Sequence, residues 1–346
     1  MQTVVRAAPR DIVALIWFRL GYRPRDSLLL VGLHGPRHRT GLVVRIDLPP
    51  PGEEKPAIRR LARLVRRTGA EAAIAVLCRD TACDPPRPPA VRVVRRELPR
   101  AGLGLVDMIA VGRRGYRSYL CHDPGCCPPE GRPLAEVMAG EVAARMVLAG
   151  HTVVEDEAAL IADVMPPGGP AEGPAGVGRG GAPPGPAAVR GAPPSSTEVL
   201  AAWRRTLEQA EPDPAVIAGL ATALADVRLR DAILLTLVPG AGPAPEDVLA
   251  GRQVDLERLL SRPPEEDLVD RGRSHLAAAA RAAPPPARAD VLATLAWLAW
   301  WTGHGGRARL LADLAQTTRP GHRLAGLVTA LLHTCAPPPW VGAGSG

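Results

Sequence analysis

Residues 166–194 contain 24 Gly, Pro or Ala in 29 positions, and no other feature of this chain constrains its fold so strongly. Such a stretch has few side chains to bury and cannot offset the entropy lost on ordering its backbone. It reads as a linker. What lies on either side must then fold separately, and 346 residues suffice for two domains of ordinary size.

The two flanks differ in kind. In 1–165, apolar runs suited to strands alternate with amphipathic helices. Residues 11–20 form a short helix, with Asp11 near its N-cap, Gly21 at its C-terminal turn and Pro24 beyond. Leu28–Leu33 and Leu42–Leu48 read as a hairpin around the loop from His34 to Thr40. Residues 53–68 are helical, with Ile58, Leu61, Leu64 and Val65 on one side and Arg59, Arg60, Arg63, Arg66 and Arg67 on the other. The unbroken apolar run Ala72–Cys78 suits a central strand. A short helix near 90–98 leads to a second hairpin, Leu105–Val111 with Tyr116–Leu120, and helices at 134–149 and 156–164 close the domain. The expected fold is an α/β sandwich on a mixed sheet. No GxGxxG follows a strand and no GxxxxGK[ST] occurs, so dinucleotide and P-loop chemistry have no support.

From 195 to 337 every segment has helical period, at about 195–210, 213–225, 227–237, 245–261, 266–282, 288–302, 306–317 and 322–334, before a tail at 338–346. Trp297, Trp301-Thr302-Gly303, Ala308, Leu311, Ala315 and Pro320 resemble part of a tetratricopeptide repeat. Stacked helix pairs of this kind bind a protein partner or self-associate. The fold class expected for the whole chain is therefore α/β followed by an all-α, tetratricopeptide-like domain.

No secretory signal is legible and no apolar run is long enough to cross a bilayer. The expectation is a cytoplasmic protein with reduced cysteines and no membrane partner. Residues 1–165 carry 25 Arg or Lys against 18 Asp or Glu, whereas 166–346 carry 17 of each, so the +7 charge lies in the N-terminal half. Lysine occurs once, at Lys55; arginine supplies the other 41 cations, a skew that with 39 Pro and 36 Gly suggests a GC-rich genome and devalues arginine counts.

Chemistry concentrates in Tyr119–Gly131, where Cys121, Cys126 and Cys127 make up half of the six cysteines and His122 and Asp123 lie between them. Zinc takes four soft or borderline ligands, which these cysteines and one further group could supply. Cys78 and Cys83 form a second C-x4-C. Standard structural zinc sites use C-x2-C knuckles, which this spacing lacks. A nucleophilic thiolate is an alternative, needing a thiol pKa lowered by His122, Arg114, Arg117 or a helix dipole. A redox pair of Cys121 with Cys126 or Cys127 is another, and a rigid Pro-framed structural loop is the last.

Asp11 with Leu20-Gly21-Tyr22-Arg23-Pro24-Arg25-Asp26-Ser27 and the strand after it, Gly41–Pro49, Ser118–Gly131 with its cysteines, and the Ala/Leu/Trp-rich C-terminus form a recognisable set of segments. Together they resemble a mostly actinobacterial family, domain of unknown function 4192. The resemblance covers most of the chain outside the linker and implies no particular activity, substrate or cofactor. The family often places two Trp before the Ser-Tyr pair, where this chain has Tyr116 and Arg117.

Three further sets of residues are candidates. Asp26 and Ser27 precede one strand of the first hairpin and Asp47 ends the other; with Tyr119 and Glu130 beside the cysteine loop they could line a pocket, and paired carboxylates suit Mg²⁺ binding or acid–base work. Strand-end capping is the simpler account. Arg59, Arg63, Arg66 and Arg67 share one helix face, which Arg92, Arg95, Arg96 and Arg100 could extend toward an anion. Nucleic acid is the weaker partner candidate, because aromatic stacking groups are missing. His34 and His38 share a loop without a third ligand at metal spacing, and Trp297, Trp300 and Trp301 have the spacing of one apolar face.

The leading functional reading is a non-enzymatic sensor or adaptor, joining a ligand- or metal-binding α/β domain to a helical interaction domain, with zinc as the candidate cofactor. The competing reading is a metal- or thiolate-dependent enzyme with its site at the sheet edge near Asp26, Asp47 and the cysteine loop. Arginine-mediated nucleic-acid binding is a third.

Overall fold

The structure, a computed structural model, describes residues 8–80, 89–166, 194–209, 211–334 and 336–341. The Gly/Pro/Ala residues 167–193, Cys83 and Cys335 lie outside the described residues. The chain divides into two compact units, Met1–Leu160 and Ile161–Gly346.

The first unit is built outward from strand β1 (Ser27–His34), in which every residue but the last is buried. β1 pairs antiparallel with β2 (Arg39–Asp47) on one edge and with β3 (Ala72–Cys78) on the other. Helix α2 (Glu54–Arg67) links β2 to β3, and helix α3 (Pro89–Arg100) links β3 to the parallel strand β4 (Gly104–Val111). Short strands β5 (Gly115–Ser118) and β6 (Arg132–Pro133) complete a mixed sheet in the order β2-β1-β3-β4-β5-β6.

Helices cover both faces. Leu29, Val31 and Leu33 of β1 share a core with Ile12, Ile16 and Trp17 of α1 (Pro9–Leu20), together with Val137 of α4 (Ala135–Met138) and Ala143 of α5 (Glu141–Leu148). Residues in between face the other way: a Cβ at Gly32 would lie 3.0 Å from Val65 of α2. This alternation explains the continuous apolar runs of β1 and β3, which have no solvent-facing side.

α1 ends where the sequence predicts, with Gly21 left-handed at φ 81°. The helix expected over 134–149 is instead two, because Gly140 sits extended at the start of α5 and a Cβ there would lie 2.9 Å from an Asp11 carboxylate oxygen. The predicted helix at 156–164 is a 3₁₀ turn, Ala158–Val164.

The second unit is all helical: α6 (Ser196–Leu207), α7 (Pro214–Ala223), α8 (Val227–Thr236), α9 (Ala244–Leu249), α10 (Leu256–Leu260), α11 (Glu266–Ala282), α12 (Pro285–Trp301), α13 (Gly305–Thr318) and α14 (Arg323–His333). Ser195 and Glu198 form a reciprocal capping box at α6. α9 and α10 replace the single helix expected over 245–261, and Gly251 turns between them at φ 76°. α12 is buried nearly all round, from Ala289 to Trp301, as befits a central helix. α12, α13 and α14 pack against one another in a repeat-like arrangement, and Ala308, Leu311 and Ala315 are fully buried in α13. Buried tryptophan N–H groups find acceptors: Trp203 donates to Thr236 Oγ1 at 2.9 Å and Trp300 to the Ala336 carbonyl at 3.0 Å.

One buried carboxylate ties α12 to the connection between α13 and α14. Asp290 accepts from two guanidinium nitrogens of Arg319, one at 2.9 Å, and from His322 Nε2 at 3.0 Å. His322 Nδ1 in turn accepts from the Ala325 amide at 3.3 Å, capping α14. Burial pushes the His322 pKa down, which fits a neutral ring with its proton on Nε2.

Asp290→Ala would strand both donors. The expected loss is about 2 kcal/mol in urea or thermal unfolding, below the roughly 3–5 kcal/mol of a fully buried pair because water reaches one partner. Arg319 is that partner, 42% exposed.

Candidate metal centre

The cysteine loop is the connection between β5 and β6, and two polar side chains shape it. The first is Ser118, buried at the end of β5. Its hydroxyl donates to Asp107 Oδ1 at 2.5 Å and accepts from the amides of Leu120 and Cys121 at 3.0 and 3.1 Å. The same Asp107 oxygen accepts from its neighbour's amide, Met108 N–H, at 2.7 Å. Tyr119 is buried and still bonds across to the Met108 carbonyl at 2.7 Å. The chain therefore leaves the sheet one residue after the last named strand position, earlier than the strand expected through Leu120.

The second is Asp123. Its Oδ1 accepts from the Gly125 amide at 2.8 Å, and its carbonyl accepts from the Cys126 and Cys127 amides at 3.2 and 2.8 Å. This closed turn brings Cys126 and Cys127 back over Cys121. The return path is close: a Cβ at Gly115 would lie 2.8 Å from the Arg132 carbonyl, and Gly131 is left-handed at φ 85°.

Within this frame the Sγ atoms of Cys121, Cys126 and Cys127 all lie within 4.8 Å of one another. Cys126 and Cys127 sulfurs are 3.9 Å apart. Burial runs from exposed at Cys126 through partly covered at Cys121 to buried at Cys127. Burial pushes the Cys127 thiol up to about 11, the neighbouring thiols add to the rise, and a Ser118 backbone hydrogen bond opposes it. Cys127 is thus protonated at neutral pH unless a cation displaces the proton, the reverse of an activated nucleophile. Three convergent sulfurs with a buried member can coordinate a thiophilic ion. His122 and Asp123 are exposed and do not belong to the sulfur cluster, and Glu130 is exposed on the return limb.

The remaining candidates fall elsewhere. Ser27 lies opposite both Asp47 and Cys78, and Cys78 opposite Val111, so Asp26, Ser27 and Asp47 gather at that end of the sheet. β5 runs from Tyr116, opposite Val111, to Ser118, opposite Ile109, and the cysteine loop continues in the direction leading away from Asp26. The structure brings Tyr119 and Glu130 into the cysteine loop and Asp26, Ser27 and Asp47 into a second group. Asp26 is left-handed at φ 37° and accepts from the Asp80 amide at 3.1 Å. Arg45 donates to Ser27 Oγ at 2.9 Å and to Asp47 at 2.7 Å. Cys78 is buried in the α1-side core.

Arg59, Arg63, Arg66 and Arg67 are exposed on α2, as their spacing predicts. The residue that organises this region lies outside the arginine pattern. Glu97 of α3, 1% exposed, accepts from Arg59 at 2.5 Å, Arg96 at 2.9 Å and Arg100 at 3.0 Å. A signal was available, since Glu97 falls one turn beyond Val94 on the apolar face of α3. The Arg59 guanidinium, aided by Arg96 and Arg100, holds the Glu97 carboxyl down at about 2 against the opposing effect of burial.

A family model described as "Domain of unknown function (DUF4192)" matches residues 9–339. No curated protein and no solved structure shows a significant match. Among the described residues no helix is long and apolar enough to cross a membrane.

The folded Glu97 value lies below its ordinary 4.5. Its contribution to stability is therefore complete above that pH and is lost as pH falls toward 2. Glu97→Gln should lower the Tm at pH 7, and the wild-type and variant curves should converge as the pH is taken from 5 to 2. Parallel curves across that range would refute the assignment.

Proposed function

The chain belongs to the DUF4192 family, and we propose that it is a metal-dependent protein whose ion, zinc in first place, is held by Cys121, Cys126 and Cys127. The observation that supports this reading is the convergence of three sulfurs within 4.8 Å on one loop. At a Zn–S distance of about 2.3 Å, tetrahedral ligands lie about 3.8 Å apart. The Cys126–Cys127 separation of 3.9 Å matches that edge. Thiolates favour zinc or copper(I) over hard cations such as Mg²⁺ or Ca²⁺.

Among the described residues three sulfurs converge, which leaves a fourth position for water, a substrate or His122, the neighbour of Cys121 in sequence. An open position is the arrangement of catalytic zinc sites rather than structural ones. An ion there would acidify a bound water or polarise a bound carbonyl. This favours the enzyme-type reading, centred on the cysteine loop, over a sensor without chemistry. Within it, Ser118 and Asp123 are positioning residues: they fix the backbone on either side of the ligands. The carboxylates Asp26 and Asp47 have no part in it.

A tetratricopeptide-like partner role for the helical domain accompanies the reading, supported by the repeat-like packing of α12–α14 and by the small buried residues Ala308, Ala312 and Ala315 between them. Nucleic-acid contact through α2 has less support, because Glu97 already engages Arg59.

Protein purified under reducing conditions should carry or take up one equivalent of zinc by elemental analysis, with Cys121, Cys126 and Cys127 protected from thiol reagents. Each Cys→Ser variant should weaken binding at least tenfold. Because the ion must displace the Cys127 proton, affinity should rise with pH between 6 and 8, with proton release on binding. Three freely reacting thiols and no bound metal would end the proposal.

A further inference from the structure

Residues Ile161–Met165 are counted with the helical unit and lie against α11, α12 and α13 as a strap. Arginines from these three helices close on two adjacent strap residues. Arg307 of α13 donates to both carboxylate oxygens of Asp163, at 2.9 and 2.8 Å, and Arg273 of α11 reaches one of them at 3.4 Å. Arg281 of α11 donates to the Asp163 carbonyl, and Arg288 of α12 to the Val164 carbonyl at 3.0 Å. The Val164 side chain is fully buried in the helical core, with Ile161 packed partly against it.

This contact pattern is that of a short-peptide site. Arg281 and Arg288 hold main-chain carbonyls, which any sequence presents. Arg307 and Arg273 select a carboxylate, and the Val164 pocket selects an apolar residue directly after it. Among the described residues, Asp163 is held by Arg307 and Arg273, and Arg273 also pairs with Asp270 at 3.2 Å. Arg288 Nε is also buried with no hydrogen-bond partner. A strap that served only to cover the core would be held at lower desolvation cost by apolar contacts alone.

We propose that Arg273, Arg281, Arg288 and Arg307 form a peptide-binding site that Ile161–Met165 fills in cis, and that a partner protein's acidic–apolar peptide, Asp or Glu followed by an aliphatic residue, takes the strap's place. This inference is independent of the metal centre.

The test uses the full chain and a fluorescein-labelled peptide of residues 158–166. The double variant Asp163→Ala, Val164→Ser frees the site and should bind the peptide at least tenfold more tightly than the wild type does. Adding Arg307→Ala, or replacing the peptide's Asp with Ala, should abolish binding. A double variant that is folded by circular dichroism yet binds no peptide would overturn the proposal. Should that variant not fold, hydrogen exchange on the wild type decides: excess peptide should speed exchange of the 161–165 amides. Unchanged exchange there would overturn the proposal equally.

Discussion

Strand β1 is the constraint from which the α/β unit follows. It is hydrogen-bonded on both edges and buried on both faces, so its backbone and side chains leave nothing for solvent. Because β1 is antiparallel to both neighbours, β2 and β3 run in the same direction. α2 must therefore span β1 to join them, on the face where Gly32 admits Val65. The sheet then grows to one side only, through β3, β4, β5 and β6. Irregular chain is tolerated where the ladder ends. The cysteine loop occupies that place, hung between a four-residue strand and a two-residue one. Its position at the rim follows from the topology and owes nothing to its own composition.

That logic also marks the limit of what the sequence discloses. Ala72–Cys78 was legible residue for residue, because a strand buried on both faces needs an unbroken apolar run and turn signals bound it. The helical periods of the C-terminal half were legible for the same local reason. The breaks at Gly140 and Gly251 were not, because apolar spacing continues across both. At Gly140 the break reflects a contact with Asp11, distant in sequence. β6 carries no strand pattern at all; its pairing depends on the close approach that Gly115 and Gly131 permit. The three cysteines were visible as a cluster in sequence, yet their spacing matches no zinc knuckle. Their convergence in space comes from Ser118, Asp107 and Asp123, whose hydrogen bonds spacing alone does not reveal.

In a chain with 41 arginines, the informative residue is the carboxylate that gathers them. Glu97 gathers three guanidiniums between α2 and α3, Asp290 fixes Arg319 and His322, and Asp163 holds Arg307 and Arg273. Arginine suits this use because its planar fork offers several donors at fixed angles and keeps its charge when partly buried. An arginine count therefore says little about an anionic partner, whereas each carboxylate identifies which arginines are structural. Applied to α2, this separates Arg59, engaged by Glu97, from Arg60 and Arg67 on the exposed face. Applied to α11–α13, it assigns Arg273 and Arg307 to Asp163.

The same accounting of partners bears on the cysteine loop. A loop whose cysteines were purely structural should use those side chains to hold its shape, but here the shape is held largely by others. The amides of Leu120 and Cys121 are satisfied by Ser118, those of Gly125, Cys126 and Cys127 by Asp123, and that of Gly131 by the Pro128 carbonyl. Besides their contacts with each other, the sulfurs make a long contact from Cys121 Sγ to the Asp123 carbonyl at 4.0 Å and a hydrogen bond between Cys127 and the Ser118 backbone. The backbone would take this path with serine in their place. Gathering three thiols also carries an electrostatic cost, since each thiolate formed would raise the pKa of the next. A cation removes that cost and a proton only defers it. Burial that makes Cys127 a poor nucleophile leaves it able to act as a ligand once a cation displaces its proton.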